Sequence, residues 1–210
     1  MVRKYMQYLI SGAVIIVLLN GCASAPAPTP SVKIAVKSFK DYPDHAFNPK
    51  EYVQGMEKGG HNILIWQDPS VDLGKYRSVN VADFGGRLLP EQTVFSYDPF
   101  IKSLNLRFQS FLKLPQEKSS NALLIEGAMV ECNPGSRAAR YVVGFGAGKA
   151  AGAVACEVYE PGKSQPCIRI YARDRGSSGM FGGDSVAMLN HIFEQVAVRL
   201  SGVLEGRIGH

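Results

Sequence analysis

The sequence has no apolar run long enough to cross a bilayer as a helix. Its most apolar stretch, Leu9 to Leu19, is about eleven residues, whereas a spanning helix takes roughly 20. Metal-ligand spacings are also missing. There is no H-E-x-x-H and no C-x-x-C, and His45, His61, His191 and His210 are scattered. No pair of carboxylates has a spacing that points to acid–base work. Asp83, Asp174 and Asp184 fall near the ends of expected elements, where aspartate commonly caps or turns. A cysteine–histidine nucleophile pair stays open only as it does in any chain holding both residue types. Basic residues are not clustered. The formal charge is +5, and removal of residues 1–21, which carry only Arg3 and Lys4, leaves +3. That excludes the dense Lys/Arg face of a nucleic-acid binder. The expected protein is therefore non-catalytic, with no metal, no cofactor and no nucleic-acid partner.

The N-terminus is informative. Arg3 and Lys4 form a short basic head before the apolar run, which has the length of a secretory signal core. The run ends in Leu19-Asn20-Gly21-Cys22, which resembles the bacterial lipobox. That resemblance implies cleavage before Cys22 and acylation of its sulfur and new amino group. Asn20 is a less usual residue at its position. Ala23, rather than an aspartate, follows the cysteine, and by the same resemblance this favours the outer membrane over the inner. An ordinary signal cut near Ala23 or Ala25 and an uncleaved anchor are the competing readings. Residues 23–30, ASAPAPTP, hold no core-forming side chain, and alternating proline favours an extended tether.

The rest divides as follows. Residues 1–21 read as the signal peptide. Residues 22–60 read as the lipidated cysteine, the Pro/Ala-rich tether and a weakly ordered lead-in punctuated by turn signals. Residues 61–210 read as one domain. Ile63 to Trp66 reads as an edge strand, and Tyr76 to Phe84 alternates as a half-buried strand does. Asp98-Pro99 is a helix start with Asp98 as the expected cap, and Phe100, Leu104, Phe108 and Phe111 follow at helical spacing before Pro115. Residues 121–131, 150–159 and 167–174 read as three strands. Asp184 is the expected cap of a last helix whose apolar stripe runs Val186, Leu189, Phe193, Val196, Leu200, Val203. The order strand, helix, three strands, helix predicts an α+β fold: a mostly antiparallel sheet with both helices on one face.

The segment RYVVGFGAGKAAGAVACEVYE, residues 140–160, is dense in glycine and alanine. A phosphate loop fails at both ends, because Val143 stands where the first glycine is needed and Ala150 where a hydroxyl is needed. The dinucleotide fingerprint fails at Lys149. Gly144, Gly148 and Gly152 recur every four residues, the small-residue spacing of packed membrane helices. The favoured reading is a special-backbone loop over Gly144, Gly146 and Gly148 that opens a strand. From Ala150 onward Ala151, Ala153, Ala155 and Glu157 share one face, and Gly152, Val154, Cys156 and Val158 the other.

The stretch SRAARYVVGFGAGKAAGAVACEVYEPGK resembles the core motif of a family of bacterial lipoproteins with a domain of unknown function, DUF4410. KYRSVNVADF resembles that family's first strand, and the likeness covers about residues 70–205. The sequence departs from it at Glu160-Pro161. The resemblance implies an envelope lipoprotein without a settled activity and brings no catalytic residues.

If Cys22 is acylated, Cys132, Cys156 and Cys167 remain in an oxidising compartment. A two-residue turn at Pro161-Gly162 would set Cys156 opposite Cys167 and allow a disulfide; a four-residue turn would slip them apart. Cys132 is expected to be a free buried thiol. The candidate partner-binding loop comprises Arg137, Arg140, Gly144, Gly146, Gly148 and Lys149. Its arginines could hold an anionic group or a partner's carboxylates, or simply be solvated. The expected function is that of an outer-membrane lipoprotein binding another envelope component. An oligomeric accessory subunit of a secretion or transport assembly is the alternative, and a periplasmic hydrolase a remote third.

Overall fold

The structure is a computed structural model and describes residues 37–91, 95–135, 149–176 and 185–209. All belong to one compact unit, Ala35–His210. Among the described residues six strands form the sheet: β1 (Glu57–Gly60), β2 (Ile63–Gln67), β3 (Val79–Val81), β4 (Leu123–Asn133), β5 (Ala150–Tyr159) and β6 (Pro166–Gly176). Their order across the sheet is β1-β2-β6-β5-β4-β3. Every pairing is antiparallel except β3 with β4. Among the described residues three α-helices complete it: α1 (Pro49–Tyr52), α2 (Asp98–Phe111) and α3 (Ser185–Ile208). The expected α+β fold is the observed one.

The apolar spacing explains the front of the sheet. In α2, Phe100, Leu104 and Phe108 are buried, and α3 lays Leu189, Phe193, Val196 and Leu200 on β5 and β6. Val186, the first residue of the expected stripe, is 58% exposed, so the stripe seats from Met188 onward. Among the described residues no helix is both long and apolar enough to cross a membrane. At Gly152 α3 packs close against β5: a Cβ there would lie 2.8 Å from Ile192 and 2.9 Å from the Phe193 ring. Asp98 is the first helical residue of α2 and not its cap. The preceding Tyr97 occupies that position without a side-chain cap bond, and Ser96 Oγ accepts from the Asp98 amide at 3.2 Å.

The back of the sheet departs from expectation. Residues 38–52 are a strap across it and no loose lead-in. Phe39, Tyr42 and Tyr52 are buried with Leu88, Ala128, Val130, Ala153, Ala155 and Tyr171 in a second core. The strap consists of two single turns, a 3-10 turn at Phe39–Asp41 and α1, each capped by its own side chain. Ser38 caps the first in a reciprocal capping box, and Asn48 caps the second, with Pro49 in its first turn. Turns this short show no apolar periodicity, so their turn residues resemble a linker. Ile63–Gln67 is likewise not an edge: β1, Glu-Lys-Gly-Gly, covers it despite poor strand formers. The expected strand over 76–84 shrinks to β3, which is the opposite edge. Beyond β3, Asn105 of α2 takes the place of a neighbouring strand. It accepts from the Phe84 amide at 2.7 Å and donates to the Phe84 carbonyl at 3.0 Å.

The Cys156–Cys167 disulfide does not form. The β5–β6 connection is longer than a two-residue turn, with Tyr159 opposite Pro166 and a register shift before Val158 pairs Ile168. Cys156 therefore faces Ile170. Cys167 donates to the Val158 carbonyl at 3.3 Å, and Cys132, Cys156 and Cys167 are all free and buried. The expected Asp184 cap lies outside the described residues.

Candidate functional site

Strand alternation sets the back face in rows across β4, β5 and β6. Glu126, Glu157 and Arg169 form one row. Ala128, Ala155 and Tyr171 form the next, then Glu131, Ala153 and Arg173, then Asn133, Ala151 and Arg175. The strap covers the first two rows, and a groove runs beside it over the others.

Glu157 is fully buried, and Arg169 beside it is 2% exposed. A buried charge is tolerated only when it is paired and hydrogen-bonded. Glu157 Oε2 accepts from Ser38 Oγ at 2.6 Å and from the Tyr159 hydroxyl; Oε1 accepts from the Phe39 amide at 2.8 Å. Arg169 Nε lies 3.9 Å from Glu157 Oε1, its Nη2 donates to the Tyr52 carbonyl, and its guanidinium carbon sits 4.5 Å from the centre of the Tyr52 ring. Both charges are thus spent on the two ends of the strap. Burial raises the Glu157 carboxyl above its ordinary range, against the donors from Ser38, Tyr159 and Phe39, which pull it down. Lys40 adds an ion pair to Glu126 and lies over the Tyr159 ring at 4.2 Å. The pair offers a substrate no surface; it fastens the N-terminal segment to the centre of the sheet.

The groove has two lobes, of about 490 and 530 Å³, that share Leu64, Tyr171 and Arg173. The first lies against the strap at Phe47, Pro49, Lys50 and Val53. The second opens toward Lys58 of β1 and Arg175 at the end of β6. Arg173 grips Glu131 through Nε at 2.6 Å and Nη2 at 2.8 Å. Asp174 is bound by Arg199 at 3.0 Å and Asn62 at 3.0 Å. Burial pushes the Tyr171 hydroxyl up to about 12, so it stays neutral.

Of the residues singled out in the sequence, Lys149 is exposed and immediately precedes β5. Arg137, Arg140, Gly144, Gly146 and Gly148 lie outside the described residues, as does Cys22. The ends of that segment are nonetheless fixed: Asn133 pairs Ala151, and Ala150 pairs Gly176, at the same end of the sheet as Arg175. His191 is exposed on α3. Burial pushes the Cys132 and Cys167 thiols up to about 12 and about 11, and the Cys156 thiol is raised as well. All three are poor nucleophiles near neutral pH. Sequence reading missed Glu157, Arg169, Ser38 and the groove. A signal for them existed: a lone acid in an otherwise small and apolar strand, and Arg169, Tyr171, Arg173 and Arg175 at every second position of the next.

These features define a class, an open and mostly antiparallel α+β sheet with paired helices on one face and an N-terminal strap latched to the other. Residues 103–202 match the family described as Domain of unknown function (DUF4410), the family that the glycine-rich segment resembles. No curated protein matches the sequence significantly. Among solved structures, the chain is similar to a PelC dodecamer from Paraburkholderia phytofirmans, at 12% identity and a TM-score of 0.40, covering 66% of this chain and 97% of that one. A hypothetical protein of Chlamydia trachomatis matches at 12% identity and 0.39, covering 61% and 98%. A minor lipoprotein of Acinetobacter baumannii matches at 9% identity and 0.35, covering 62% and 94%. At these values the likeness is remote and assigns nothing to this chain.

Proposed function

We propose that this chain is a lipid-anchored protein of the bacterial outer membrane. Acyl chains on Cys22 hold it, and its domain, facing the periplasm, is a non-catalytic module that binds another envelope component. The observation that carries this is the continuity from lipobox to fold. The Leu19-Asn20-Gly21-Cys22 signal is followed by a proline-rich tether, and Ser38, shortly after it, is bonded to the buried Glu157. One acyl chain holds a protein only weakly, so several on one cysteine are what a stable anchor needs. The test is Cys22→Ser with membrane fractionation and labelled-palmitate incorporation. The native chain should take the label and float with outer membranes, and the variant should do neither. Membrane retention of an unlabelled variant would overturn the anchor.

A second reading, an oligomeric accessory subunit, is favoured by Leu106 of α2 and Val198 of α3, which stand 62% and 42% exposed on the helix layer. Sedimentation of the detergent-solubilised chain separates the two: a monomer supports the adaptor, a stable oligomer the subunit.

A further inference from the structure

We propose that the two-lobed groove beside the strap binds an extended segment of a partner protein in which acidic and aliphatic residues alternate. This rests on the reading of the domain as a binding module and names the chemistry of its partner.

Charge is the first argument. The groove's two acids are already committed, Glu131 to Arg173 and Asp174 to Arg199. Among the described residues no carboxylate pairs with the side chain of Lys50, Lys58 or Arg175, so the rim keeps an excess of positive charge. Those three cations mark both lobes, and they match carboxylates carried along a chain.

Shape is the second. The lobes share Leu64, Tyr171 and Arg173 and so form one trench rather than two pits. Successive side chains of an extended peptide point to opposite sides, so alternate ones can drop into the two lobes while those between meet the cationic rim. The floor decides among anionic ligands. Tyr171 is only 9% exposed, and the other aromatic side chain of the lining, Phe47, packs its ring against Tyr42 and Tyr52 at 5.0 and 5.3 Å, which leaves little ring surface for a sugar to stack on, while Leu64 and Val53 are aliphatic. An acyl chain needs an enclosed slot, and both lobes of this trench are open to solvent. Aliphatic side chains of a peptide fit what remains.

The experiment uses the full chain in detergent and a fluorescent synthetic peptide alternating leucine with aspartate, read by anisotropy. The native protein should bind it, and the same peptide with asparagine for aspartate should bind about tenfold more weakly or worse. Lys58→Glu combined with Arg175→Glu, both exposed positions, should weaken the aspartate peptide by a similar factor. It should also favour a leucine–lysine peptide over the native preference. Lys163→Glu on the distant β5–β6 turn should change neither, and circular dichroism should show all variants folded. No binding by the native chain, or equal binding by the reversed variant, overturns the proposal. So does preference for a uronic-acid oligosaccharide or for phosphatidylglycerol vesicles over the peptide. A partner crosslinked in cells at a different face of the domain would sink the groove and leave the binding-module reading standing.

Discussion

Arg173 and Glu131 clasp one another across a strand to which neither belongs. They sit on β6 and β4, and both are register partners of Ala153 on β5 between them. The ion pair therefore passes over Ala153, which is completely buried. The small side chain is a clearance. Ala153→Leu should push the clasp off the sheet and crowd the second core, costing about 1–3 kcal/mol. Urea unfolding at neutral pH checks this; an unchanged midpoint would mean that the pair does not lie where these rows put it.

On the opposite face of the same strand the limit is the helix. Gly152→Ala sets a methyl 2.8 Å from Ile192 and 2.9 Å from the buried Phe193 ring. Alanine is ordinarily better than glycine within an element by about 0.5–1 kcal/mol, yet here the clash should win and leave a net loss of about 1–2 kcal/mol. Gly202 should behave oppositely, because it is exposed on α3 and a methyl added to it would meet nothing within 4 Å. Gly202→Ala should gain about 0.5–1 kcal/mol. Thermal unfolding of the two variants should shift in opposite directions.

The Glu157 carboxyl binds its proton more tightly folded than unfolded, since burial raises it above the ordinary 4.5. Its contribution to stability is therefore complete below pH 4.5 and is lost as pH rises through the raised folded value. Glu51 and Glu160, lowered by hydrogen bonds from Lys37 and Lys75, act in the other direction, so the native chain must be compared with a variant. Relative to Glu157→Gln, the native protein should lose stability as pH climbs from below 4.5 toward neutrality. Denaturant midpoints across that range give the answer, and a gap that is flat or widens in the native protein's favour would contradict it.

Because Cys132, Cys156 and Cys167 are free, all three should alkylate when the chain is unfolded without reductant and stay unlabelled while it is folded. Intact mass before and after adding reductant checks it. Two of the three thiols protected until reduction would restore a disulfide.

What the sequence revealed and what it hid follow physical lines. The bounds of β5 were legible because small and apolar residues, broken only by Glu157, run from Ala150 to Tyr159. The helix pair was legible because Leu104, Phe108, Phe193 and Leu200 repeat at helical spacing. The strap was hidden because its turns are too short for a period, and because the Phe39 amide finds its partner 118 residues away. The cysteine pairing failed on a few residues of turn length, since register transmits a local slip to every pair beyond it. The resemblance of the glycine-rich segment pointed to the family whose model matches residues 103–202, while the groove needed three strands to be set side by side before its cations met.

The strap also decides how the domain carries mechanical load. Tension along the chain from its N-terminal side arrives at Ser38 and Phe39, whose bonds run to Glu157 on a strand with two neighbours on either side or more. Force thus enters at the middle of the sheet and is shared with Arg169 on the adjoining strand, instead of unzipping an edge one hydrogen bond at a time. If Cys22 is the fixed point, the chain from it to Ser38 can span at most about 50–60 Å, the limit set by full extension. A domain pulled from this side takes the load at its centre and not along a peeling edge.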